Sequence, residues 1–83
     1  MDFHLITVEC YSGYKANERP VSFTYGDKTW RILEIIDRWY EGGTQPDRPA
    51  LDYYKVRTEE GEVFILRYNA LFDAWSLSHH PQT

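Results

Sequence analysis

Cysteine is almost missing from this chain. Cys10 stands alone, so no internal disulfide can form. That excludes a disulfide-stapled secreted framework and fits a reducing compartment. No apolar run approaches the ~18 residues of a membrane span, so no membrane partner is expected. Met1-Asp2-Phe3-His4 has neither a basic start nor a long apolar stretch, and no signal peptide is expected. There is no glycine-rich phosphate loop and no internal repeat. Basic residues are the scarcer charge: 9 Lys+Arg against 13 Asp+Glu give a net charge of −4. That sign opposes phosphate and makes non-specific nucleic-acid binding a poor expectation. These absences predict a cytoplasmic protein.

At 83 residues the chain forms one domain, with its ordered core expected over about 3–77. A chain of this size buries only about 60–65% of its unfolded surface. Aromatic residues compensate: 17% of the chain, including three Trp and seven Tyr, gain buried area quickly. Period-2 alternation recurs along the chain. Phe3 to Tyr11 places Ile6, Val8 and Cys10 on one face. Val21, Phe23 and Tyr25 alternate with Ser22 and Thr24, and Gly26-Asp27 then suits a type II′ hairpin turn. Tyr53 to Thr58 and Glu62 to Tyr68 read as two further strands around a Glu59-Glu60-Gly61 turn. Ala74 to Leu77 reads as a short last strand, and Ser78 to Thr83 as a frayed end.

The run from Thr29 to Tyr40 decides the fold class. As a helix, Ile32, Ile35, Ile36 and Trp39 would share one face. As a strand it needs both faces partly covered, or a bulge that switches phase near Leu33-Glu34. Its β-branched and aromatic content and the hairpin before it favour the strand. The expected fold is all-β: a small antiparallel rolled sheet or partly open barrel of SH3-like scale, with five or six strands. The alternative is α+β with residues 29–40 helical. Phe23, Ile32, Ile36, Val56, Phe64, Leu66 and Trp75 are the expected core.

Several short motifs carry a resemblance. Cys10-Tyr11-Ser12-Gly13-Tyr14, Glu18-Arg19-Pro20, Asp37-Arg38-Trp39, Asp52 to Arg57 and Ile65 to Tyr68 together resemble a family of short uncharacterised bacterial proteins. That family has a Cys-Tyr-Ser-Gly-Tyr start and an Asp-Arg-Trp motif. The resemblance spans roughly residues 6–77, although the segment Gly42 to Ala50 is longer than the pattern expects. It implies an uncharacterised cytoplasmic domain and brings no catalytic residues.

Chemistry-bearing constellations are thin. His4 and Cys10 stand roughly 20 Å apart by strand rise and cannot share a metal by themselves. Cys10 has no base at a plausible spacing and reads as a small buried residue. The adjacent acids Glu59-Glu60 sit in a turn, where solvation accounts for them. No cofactor, no metal site and no enzymatic activity are expected. Asp37-Arg38-Trp39 is the most specific local feature. It either closes one end of the roll or offers an exposed aromatic beside a cation. The leading expectation is a non-catalytic module that binds a protein partner through Tyr11, Tyr14, Arg38 and Trp39. The alternative is a nucleic-acid accessory module using the sheet face of Tyr53, Lys55, Arg57 and Arg67, with rings stacking bases and cations tracking phosphate. On that face, solvated cross-strand pairs are the plainer reading. Oligomeric state is left open.

Overall fold

The computed structural model describes residues 3–11, 19–42 and 50–79. The loop expected after Tyr11, with Tyr14 in it, lies outside the described residues, as do 43–49 and the tail from His80. Six strands appear in chain order: β1 (His4–Tyr11), β2 (Arg19–Tyr25), β3 (Lys28–Glu41), β4 (Leu51–Thr58), β5 (Val63–Asn69) and β6 (Ala74–His79). Each pairs antiparallel with the next, and β6 pairs back onto β1. The sheet is therefore closed into a barrel, not partly open. No described residue is helical, so the alternative with 29–40 as a helix is corrected. Lys28 to Arg31 pair with β2 and Ile32 to Glu41 with β4, and strand pairing overrides the helical spacing.

Both expected turns form. Gly26 has φ +66° between Tyr25 and Lys28, the positive value a II′ turn needs at its first position. Gly61 has φ +90°, and its N–H donates to the Thr58 carbonyl at 2.9 Å. A third turn is held by the Asn69 carboxamide. Its Oδ1 accepts from the N–H groups of Leu71 (3.0 Å) and Phe72 (3.3 Å).

The core is a cluster of Phe23, Tyr54, Val56, Phe64, Leu66, Trp75 and Leu77, with Ile6, Val8, Cys10, Trp30, Ile32 and Ile35 packed against it. Phe64 sits among Phe23 (ring centroids 5.1 Å apart), Trp30 (5.1 Å) and Tyr25 (6.0 Å), edge to face in each case. Ile36, expected in the core, is 41% exposed. The reason is phase. Register shifts fall between Ile32 and Glu34 and again between Ile35 and Asp37. Each bulge adds a residue and moves the following side chains to the other face. Ile35 thus follows Ile32 inward, and Ile36 is left out. The end expected to fray is also ordered further: Ser78 is buried and β6 runs to His79. On β5, Val63 and Ile65 are buried beside Phe64 and Leu66, so both faces of that strand are covered. Their cross-strand neighbours Arg57 and Lys55 have long stems that shield them.

The face assignment predicts unequal costs. Phe64→Ala should destabilise by about 3–5 kcal/mol, since a buried ring leaves a cavity. Ile36→Ala should change stability by no more than about 0.5 kcal/mol. Urea titration of both variants checks this; similar midpoints would overturn the phase switch.

Candidate functional site

The first site to assemble is the outer face of β3, β4 and β5. Directly opposed residues share a face. Register pairs Trp39 with Tyr53 and Tyr53 with Arg67. The rings of Trp39 and Tyr53 are stacked, 5.2 Å apart and 3° from parallel. Phe3 meets Tyr53 edge-on at 6.3 Å, and the Arg67 guanidinium lies 4.0 Å from the Phe3 ring centre. Trp39 therefore belongs with Tyr53 and Arg67, residues that the sequence assigns to a separate surface.

Arg38 goes the other way. Its register partner is Tyr54, a core residue, so it lies on the inner face. Its guanidinium stands 4.9 Å from the Tyr54 ring centre and 3.9 Å from Asp52. Asp37 Oδ1 accepts from the Arg38 backbone N–H at 2.8 Å. Arg38 and Trp39 thus do not form one patch. The backbone of Tyr11 pairs with Arg19 at the end of the β1–β2 ladder. Tyr14 lies outside the described residues.

Of the remaining bases on the outer face, Arg57 is engaged in an ion pair with Glu34, and Lys55 stands in register with Asp37. The adjacent acids Glu59 and Glu60 are engaged too. Glu60 is paired with Lys28, and Glu59 reaches Arg31 at 3.8 Å, so they tie the two hairpins together. Among the described residues no three His, Cys, Asp or Glu side chains cluster as metal ligands would. Burial pushes the Cys10 thiol above its ordinary value, and the Asp73 carboxylate pushes in the same direction. Burial also raises the Tyr54 phenol, although the nearby Arg38 guanidinium opposes that.

The feature that sequence reasoning passed over is an edge. β2 pairs with β3 only as far as Ser22 opposite Arg31. From Ile32 to Glu41, β3 pairs with β4 alone among the described residues. Its other edge has no strand partner among the described residues. Leu33 (62% exposed), Ile36, Trp39 and Tyr40 (65%) all stand on this overhang. Where β2 and β3 diverge, a groove of about 390 Å³ opens between Pro20 and Val21 on one wall and Ile32, Leu33 and Ile35 on the other. A second gap of about 430 Å³ lies between β1 and β6, whose ladder is only three pairs long, lined by Leu5 to Val8 on one side and Asp73 to Trp75 on the other. The signal for the overhang is the unequal length of β2 and β3, 7 against 14 residues. Comparison with known proteins adds nothing to this geometry: no family model, curated protein or solved structure matches the chain.

Because its pKa is raised, Cys10 should be mostly thiol and slow to react near neutral pH. Iodoacetamide at about pH 7.5 should alkylate the folded chain more slowly than the urea-unfolded chain. Equal rates would sink the buried-thiol reading. The sign for stability follows from the same shift. A thiol and a phenol raised on folding contribute fully below their ordinary values of 9.0 and 10.0, and that contribution fades as pH climbs past them.

Proposed function

We propose that this chain is a non-catalytic module that holds a protein partner by strand addition along the free edge of β3. One observation supports this reading above the others: among the described residues, the overhang from Ile32 to Glu41 is paired on one side only and carries four exposed large apolar side chains. An unpaired strand edge presents a row of N–H and C=O groups, and an extended partner completes them. The exposed side chains then supply buried area and choice of partner. Burial raises the Cys10 thiol, and Glu59 and Glu60 are held by Arg31 and Lys28, so these groups lend no support to a catalytic reading. Residence in a bacterial cytoplasm belongs to the same proposal. It rests on the single cysteine and on the motif resemblance at Cys10 to Tyr14.

The nucleic-acid reading has less behind it. A single-strand binder needs open ring faces and available cations. Here Tyr53 is stacked on Trp39, Arg67 covers Phe3 and Arg57 is paired with Glu34.

Selection from a displayed library of short peptides tests the edge. Enriched peptides should lose about tenfold or more in affinity for a Leu33→Ser/Ile36→Ser variant, whose exposed substitutions should leave the melting temperature nearly unchanged. Ligands that bind the variant as tightly as the parent would place recognition elsewhere and overturn the reading.

A further inference from the structure

The charges on the overhang narrow the partner. Following the register, the outer-face residues of β3 beyond Arg31 are Glu34, Asp37, Trp39 and Glu41, opposite Arg57, Lys55, Tyr53 and Leu51. Three of the four are carboxylates. Glu34 is ion-paired with Arg57 on β4, Glu41 accepts from the Tyr53 hydroxyl on β4 at 3.2 Å, and Asp37, in register with Lys55, accepts from the Arg38 backbone N–H on its own strand. An ionised carboxylate has about four acceptor sites, so one partner does not exhaust it. For Glu34 and Asp37 the cross-strand order is acid on β3, then base on β4, whereas Glu41 is opposite Leu51.

A strand added to β3 would lie about 4.8 Å from that acidic row and twice as far from the bases. Directly opposed unlike charges are favourable and like charges unfavourable. The inner-face row on β3 begins with Ile32 and Ile35, beside the groove that Pro20 and Val21 line, and continues with Arg38 and Tyr40. From this geometry, and resting on the strand-addition reading, we infer that the partner is a basic amphipathic extended segment. Its Lys or Arg side chains lie outward over Glu34, Asp37 and Glu41, and its apolar side chains point inward to the groove.

The same row argues against a second copy as occupant. Antiparallel self-pairing would set three carboxylates per strand against three more. The two bulges add a further filter, since a flat regular edge pairs indiscriminately and a bulged one does not. Arg19 stands on the far wall of the groove, so the partner's bases belong over β3 and not over β2.

The test uses the full chain, labelled with ¹⁵N, and three blocked peptides as long as the overhang. In one, Lys alternates with Val. In the second, Glu replaces Lys. The third is the Lys–Val peptide with alternate backbone nitrogens methylated. The Lys–Val peptide should shift the amides of residues 32–41 and bind about tenfold tighter than Glu–Val at low salt, the sum expected of three exposed ion pairs. That advantage should shrink at about 0.15 M salt. A Glu34→Gln/Asp37→Asn/Glu41→Gln variant should lose the preference, and the methylated peptide should bind weakly. Equal or tighter binding of Glu–Val at the same amides would overturn the charge rule and leave strand addition standing. If neither unmethylated peptide moves the β3 amides, strand addition itself fails, and this inference with it.

Discussion

The ring of Phe64 has neighbours on three other strands. Phe23 and Tyr25 reach it from β2, Trp30 from β3 and His79 from β6, with centroids between 4.8 and 6.0 Å. A chain of this length cannot bury a large core, so a few wide rings must do what many aliphatic side chains do elsewhere. That constraint shapes the barrel. The strands that hold the ring cluster must meet at the end carrying the Gly26 and Gly61 turns. There the ladders are regular, and the ion pairs of Lys28 and Arg31 with Glu60 and Glu59 join the hairpins.

At the opposite end the demand relaxes. β3 continues beyond the reach of β2, and its inner face carries Arg38 and Tyr40 where the other strands carry core residues. β1 and β6 share a ladder of only three pairs, His4 to Ile6 against Trp75 to Leu77, and part beyond it. The molecule thus has a tightly packed end and an end where strands diverge. Exposed apolar side chains gather at the second end, which is where a binding surface costs the fold least.

The two bulges in β3 connect these facts. They let one strand serve the ring cluster through Trp30 and Ile32, turn Ile35 inward, and present Glu34, Asp37 and Trp39 outward. Without them, alternation would carry Ile36 inward and Ile35 outward. They also separate neighbours in sequence. Arg38 joins Asp52 and Tyr54 on one face, and Trp39 stacks on Tyr53 on the other. Two surfaces that look independent along the chain are rearranged into one aromatic outer face and one inner cation.

Sequence by itself determined the class of fold. Alternation around Phe23, glycines where φ is positive, and β-branched residues through Ile32 to Ile36 state a local preference that pairing then satisfied. It also determined most of the core, because Val56, Phe64, Leu66 and Trp75 sit on strands without an extra residue, and Phe23 lies on the regular side of the shift at Val21. Tertiary structure decided what depends on register. Which isoleucine faces inward, that Trp39 belongs with Tyr53, and that β3 outruns β2 are set by pairing between distant segments. A one-residue shift in pairing moves every later side chain to the other face, and no local pattern records where such a shift falls. The free edge was illegible for the same reason: an edge is a missing neighbour, and only the assembled sheet defines one.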